Sequence, residues 1–176
     1  MPGNVTIFDQ DVSLDVPYFN MVWVEKVLKK ELLKLQQLKK LRHLNASCYR
    51  LQDKDLLTIG TLTQVELLDL VMTEITDSGL GHLQNMVCLE ELRLKDNPQL
   101  TDNCIPHLVR LKSLKLLHLG TTSVTISGVR QLLEALELET LVLDDDFEDH
   151  LEDLKALASS NSKLEIIVKG VITLGI

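Results

Sequence analysis

VELLDLVMTEITDSGLGHLQNMVC (65–88) and LEELRLKDNPQLTDNCIPHLVRLKS (89–113) are two spellings of one unit. Each opens with an aliphatic residue, two variable positions, a leucine, one variable position and a second leucine. Leu92 and Leu94 alternate with polar neighbours, the period-2 pattern of a half-buried strand. A turn follows, then Ile75-Thr76-Asp77 or Leu100-Thr101-Asp102, in which the aliphatic residue plugs the interior and the Asp reads as a helix N-cap. Leu80, Leu83 and Met86 then supply the buried stripe of a returning helix. One such unit cannot cover its own apolar face, so it predicts neighbours on both sides.

The neighbours are there. LRHLNASCYRLQDKDLLTIGTLTQ starts at Leu41, LKLLHLGTTSVTISGVRQLLEALE at Leu114, LETLVLDDDFEDHLEDLKALASSNSK at Leu138, and the partial LEIIVKGVITLGI at Leu164. Starts at 41, 65, 89, 114, 138 and 164 are 24, 24, 25, 24 and 26 residues apart. Each internal unit buries about six aliphatic side chains, on the order of 10 kcal/mol of gross transfer energy before chain entropy is subtracted. The fourth unit places Ile126 where the capping Asp stands elsewhere, with Ser127 as a late cap. The fifth is shorter before its helix, at Phe147-Glu148-Asp149. Pro106 falls in the first turn of the third helix, where a missing N–H costs little.

ITDSGLGHL and LTDNCIPHL after LxxLxL resemble the ribonuclease-inhibitor-like and cysteine-containing class of leucine-rich repeats. Similar repeats occur in F-box-type substrate receptors of ubiquitin ligases, in their F-box-less relatives, and in the small mitochondrial ATP-synthase-associated factor B group. The resemblance covers about residues 41–169. It implies an α/β solenoid with a curved parallel sheet on the concave side and helices on the convex side. The class carries Cys or Asn at the turn after the strand. Here those positions are Tyr49, Thr73, Asn97, Thr122 and Asp146, of which Asn97 matches.

Residues 1–40 are expected to form an N-terminal cap and residues 41–176 the repeat array. Within the cap, 5–8 and 12–16 are β-prone. After Pro17 a helix is expected over about 18–37, with Val24, Leu28, Leu32 and Leu35 on one face and Lys26, Lys29, Lys30, Lys34 and Gln37 on the other. Trp23, the single tryptophan, reads as core or, if exposed, as an interface anchor. At the other end, residues 168–176, including Val168, Ile172 and Ile176, are β-prone and apolar. Two readings stand: a turn at Gly170 with a final strand folding back, or an open edge that another chain completes.

Composition narrows the function. Apolar residues are 45% and aromatics 3%, so the interior is aliphatic. The net charge of −8 argues against a nucleic-acid partner, which needs a basic face. Cys48, Cys88 and Cys104 match no zinc spacing and read as buried free thiols of a reducing compartment. MPGNVTIFDQDVSLD has no basic n-region or apolar h-region, and no apolar run reaches membrane length. The chain reads as soluble and intracellular, with cytoplasm, nucleus and mitochondrion all open.

Side chains between the strand leucines should line the concave surface: His43, Asn45 and Ser47; Leu67, Asp69 and Val71; Glu91, Arg93 and Lys95; Leu116, His118 and Gly120; Thr140, Val142 and Asp144. Leu67, Val71, Leu116 and Val142 are apolar where solvent is expected, beside Asp69, Glu91, Lys95, His118 and Asp144. An apolar centre with a charged rim is what a protein interface needs, and Arg93 is the expected anchor because a guanidinium pairs a carboxylate bidentately. Charge is polarised: residues 25–54 hold nine Lys/Arg against three Asp/Glu, and residues 134–153 hold ten Asp/Glu and no Lys/Arg. Cys104 and His107, three apart on a helix, are two ligands where a metal site needs about four. No catalytic or nucleotide-binding motif is present. The expectation is a non-enzymatic protein-binding module without cofactor or metal. It could be an adaptor, such as the recognition subunit of a ubiquitin-ligase-type complex. The alternative is a small structural or assembly subunit of a large complex, mitochondrial among others.

Overall fold

The structure, a computed structural model, describes residues 3–21, 27–47 and 50–168, with 172–174 as backbone alone. Trp23, Val24, Lys26, Cys48, Tyr49, Gly170 and Ile176 lie outside the described residues. In chain order the strands and helices are β1 (Asn4–Ile7), β2 (Gln10–Ser13), β3 (Tyr18–Asn20), α1 (Lys29–Lys34), β4 (His43–Asn45), α2 (Asp53–Ile59), β5 (Leu67–Asp69), β6 (Glu91–Arg93), β7 (Asn97–Thr101), α3 (Ile105–Leu108), β8 (Leu116–His118), β9 (Thr122–Ser123), α4 (Ile126–Ala135), β10 (Thr140–Leu143), α5 (Leu151–Ser159), β11 (Glu165–Val168) and β12 (Ile172–Leu174).

The main sheet has eight strands in the order β12-β11-β10-β8-β6-β5-β4-β3. Every pair is parallel except β11 with β12. Each of the seven parallel strands contributes one residue to a buried central row: Phe19, Leu44, Leu68, Leu92, Leu117, Leu141 and Ile166, none more than 3% exposed. The junctions repeat one hydrogen-bond motif. The carbonyl of Pro17 accepts from both Arg42 and His43, that of Arg42 from Glu66 and Leu67, that of Glu66 from Glu90 and Glu91, and so on to Lys115. Strands lie about 4.8 Å apart whereas packed helices need about 8–10 Å. A stack with a strand on one side and a helical return on the other therefore bends toward its strands.

The array begins earlier than 41. Where a helix was expected from Tyr18, β3 pairs in parallel with β4, Tyr18 opposite His43 and Asn20 opposite Asn45. Val16, Phe19 and Met21 occupy the three aliphatic positions of the unit, and Met21 is fully buried. The helical part of this unit is α1 followed by a 3-10 turn at Leu35–Gln37, with Leu32 and Leu35 buried. A hairpin precedes it. Its two-residue turn, Phe8 and Asp9, has φ of 48° and 61°, the left-handed pair that matches strand twist. That turn is tied to α1: the Phe8 amide donates to Glu31 Oε2 at 3.0 Å, and Lys34 Nζ donates to Glu31 Oε2 and to the Thr6 carbonyl, each at 2.8 Å. The Lys34 ammonium and the Phe8 amide hold the Glu31 carboxyl below the usual carboxylate range.

The aspartates do not cap helices. Asp77 Oδ1 accepts from the Thr101 amide (2.8 Å) and Oδ2 from the Thr101 hydroxyl (2.7 Å) of the next unit. Asp53 holds Thr76 at 2.7 and 2.7 Å, and Asp102 holds Thr125 at 2.8 and 2.6 Å. Each Asp thus stitches its own unit to its successor through two charge-assisted bonds. The caps are Thr101 and Thr125, whose hydroxyls accept from Asn103 and Ser127. Gly79 and Gly128 make room for the stitch: a Cβ there would stand 2.1 Å from Asp53 Oδ1 and 2.2 Å from Asp102 Oδ1. In the third unit the same position is Cys104, fully buried. Burial, then the charges of Asp77 and Asp102, push its thiol up to about 12. Cys88, expected inside, is exposed.

A second ladder joins units two and three. Asn97 is fully buried. Its Oδ1 accepts from the Thr73 amide and hydroxyl, and its Nδ2 donates to the carbonyls of Leu70 and Leu94. The returns opposite this region are tight: a 3-10 helix at Gly79–Leu83 in place of the expected α-helix, and a 3-10 turn leading into the four-residue α3 with Pro106 in its first turn. In units four and five α4 and α5 are ten and nine residues long. Between their C-terminal ends lies a cleft of about 620 Å³, lined by residues 133–139 and 160–163.

Candidate interface on the strand face

Because side chains alternate along a strand, the residues flanking the buried row point away from the core. Register aligns them into rows that cross the array. The lower row runs Tyr18, His43, Leu67, Glu91, Leu116, Thr140, Glu165; the middle row runs Asn20, Asn45, Asp69, Arg93, His118, Val142, Ile167. Ser47, Val71, Lys95, Gly120 and Asp144 follow the strands along the upper margin. The structure therefore brings the sequence-derived face together and extends it by Tyr18 and Asn20 at one end and Glu165 and Ile167 at the other. VPYFNM, residues 16–21, carried the signal for the missed strand: it has the aliphatic spacing in residues other than leucine, 25 positions before Leu41.

Exposure within the face is uneven. Leu67, Val71, Leu116, Val142 and Ile167 are half-buried, and Tyr18 is 47% exposed. Asp69 and Asp144, expected in solvent, are buried at 9% and 7% exposure. Asp69 turns back to accept from the Val71 amide at 3.0 Å, and Asp144 accepts from the Thr121 hydroxyl. Arg93 is already engaged: its Nε donates to Glu91 Oε1 at 2.6 Å, and its Nη1 stands 3.8 Å from Asp69 Oδ2. Lys95 pairs with Asp96 at 2.7 Å, a bond that raises its pKa. Next to them His118 is shifted down, first by burial and then by the charges of Lys95 and Arg93. Gly120 leaves the space that the His118 ring borders, a Cβ there falling 3.0 Å from Nε2.

At the C-terminal edge, β12 folds back antiparallel on β11, with Val168 opposite Ile172 and Ile166 opposite Leu174. Of the two readings of 168–176, this is the returning strand. Among the described residues no group of three or more His, Cys, Asp or Glu is placed to hold a metal, and no helix is long and apolar enough to cross a membrane.

No protein-family model matches the chain, and no curated protein matches it in sequence. Solved structures do match. One internalin of Listeria monocytogenes superposes with a TM-score of 0.57 at 18% identity, over 90% of this chain and 50% of its own. Internalin C2 of the same organism gives a TM-score of 0.49 at 17% identity, over 78% and 55%. The chain spans about half the length of those structures. Internalins are leucine-rich-repeat proteins, and at this identity the likeness to the first is one of fold: an α/β leucine-rich-repeat solenoid.

Proposed function

We propose that this chain is a protein-binding module that recognises its partner through the face of the main sheet and acts by binding, without catalysis or cofactor. The observation that carries this reading is the registered pair of rows across the sheet, where half-buried aliphatic side chains lie beside charges held by ion pairs. Shape and charge there are set by the fold before any partner arrives, which lowers the cost of association. The hairpin and the α1 unit serve as the cap of the array's first face, as a repeat stack requires. The Thr-Asp motifs that support the ribonuclease-inhibitor-like class suggest the recognition subunit of a larger regulatory assembly, of the ubiquitin-ligase type.

The test is affinity capture with matched variants. Leu116→Glu and Arg93→Glu alter the strand face; Lys54→Glu, on the exposed side of α2, is the control. A partner retained by the wild type and by Lys54→Glu and lost from both strand-face variants supports the reading. Retention by all three overturns it.

A further inference from the structure

The two halves of the strand face differ in chemistry. At the N-terminal end β3 and β4 present Asn20, His43 and Asn45, with no carboxylate and no lysine or arginine, beside the Tyr18 ring. At the C-terminal end Val142 and Ile167 stand directly opposite each other in register. Leu116 lies diagonal to Val142 across the β8–β10 pair, within reach of side-chain contact. All three are half-buried, so the patch is neither core nor fully wet. Acidic groups surround it. Glu165 ends the lower row, whereas Glu91, next to Leu116 in that row, is paired with Arg93. Asp145 and Asp146 are exposed just beyond the end of β10. They belong to the stretch 134–153, which holds ten Asp/Glu and no Lys/Arg along the sequence. Arg93 is paired with Glu91 and Asp69, and Lys95 on the upper margin with Asp96.

An apolar patch ringed by one sign of charge selects a partner of the opposite sign, because the wrong sign is repelled during approach and desolvated without compensation on contact. We infer that the face formed by β8, β10 and β11 docks a segment of a partner protein in which an aliphatic or aromatic side chain is flanked by lysines or arginines. The apolar residue covers Leu116, Val142 and Ile167, and the cations meet Glu165 and the Asp145–Asp146 margin. This rests on the strand-face reading and adds to it the half of the face used and the chemistry of the occupant.

The experiment uses the whole chain and three labelled synthetic peptides of equal length, followed by fluorescence anisotropy. One alternates lysine with leucine, one alternates glutamate with leucine, and one alternates lysine with serine. The lysine–leucine peptide should bind at least about tenfold more tightly than either of the others, and more weakly as salt rises. Val142→Lys should weaken it by about tenfold, as should the doubly substituted Asp145→Lys/Asp146→Lys, whose exposed positions carry little folding risk. His43→Lys, on the other half, should stay within about twofold.

Equal binding of the glutamate–leucine peptide overturns the proposal while leaving the strand face as a binding surface, provided Val142→Lys still weakens it. Equal binding of the lysine–serine peptide also overturns it, because the apolar patch then adds nothing to recognition. Peptide binding untouched by Val142→Lys and by the Asp145/Asp146 pair places the site elsewhere and overturns the proposal. Sedimentation showing self-association that the Asp145/Asp146 pair abolishes overturns it in favour of a second copy, whose segment 25–54 is the basic one. The captured-partner test with Leu116→Glu and Arg93→Glu decides the broader function separately.

Discussion

The junctions around units two and three and the junction between units four and five are built from the same strand pairing and held in different ways. In the middle of the array Asp53, Asp77 and Asp102 each grip a threonine of the following unit, and Asn97 fills the turn above with bonds to both units. At the fourth junction Ile126 stands where the aspartate would be, and Glu148 where the threonine would be. Beside the ladder and the Thr121–Asp144 bond stand an exposed contact, Arg130 to Asp153 at 3.4 Å, and an open cleft between the ends of α4 and α5. A repeat fold thus shares one backbone plan while its cohesion is decided locally, by a few polar side chains.

The sharpest break of that comparison is Asn97→Ala. It strips partners from the Thr73 amide and two buried carbonyls at once, so a loss of about 3 kcal/mol is expected in chemical denaturation. Next is Gly79→Ala, whose methyl cannot coexist with Asp53 in its present position; about 2 kcal/mol should be lost as the stitch opens. Asp77→Ala should cost about 1.5 kcal/mol, while Asp149→Ala, which holds no such stitch, should stay within about 0.5 kcal/mol. Hydrogen exchange sharpens the same contrast: amides of α5 should open with a lower free energy than those of β6 and β8. Equal protection would mean that the stitches do not set local stability.

Smaller effects follow from His118 and Met72. The His118 imidazole has a depressed pKa when folded, so the unfolded chain binds the proton first as pH falls. Its contribution to stability is therefore intact above about pH 6.5, declines as pH drops toward the lower folded value, and then levels off. His118→Gln should flatten that part of the curve in pH-dependent melts. Met72 sits at φ 55°, a strained region for a residue with a Cβ. Met72→Gly should change stability by less than about 1 kcal/mol, with relief of strain offset by a freer unfolded chain.

The period of two dozen was readable because leucine spells it from 41 onward. The earlier unit was hidden because Val16, Phe19 and Met21 spell it differently, and because the lysine-rich stretch beyond Pro17 has a helical period that drew the whole segment into one helix. The aspartates were misassigned for a physical reason as well. Capping is a local interaction that sequence exposes, whereas the stitch joins residues 23 or 24 positions apart and becomes visible only when units are stacked. The strand-face residues were identified by alternation alone, but alternation says nothing of depth. Asp69 and Asp144 are buried because neighbouring backbone and hydroxyl donors turn them inward, and Arg93 is tied because Glu91, two positions away on the same face, reaches it first.

The Thr-Asp ladder also says which modules can be spliced out. Excision of 65–88 would bring Asp53 against Thr101, the same chemistry in the same geometry, so the shortened chain keeps an unbroken seam. Excision of 114–137 would bring Asp102 against Glu148, carboxylate facing carboxylate. The array is interchangeable on one side of that point and committed to its order on the other.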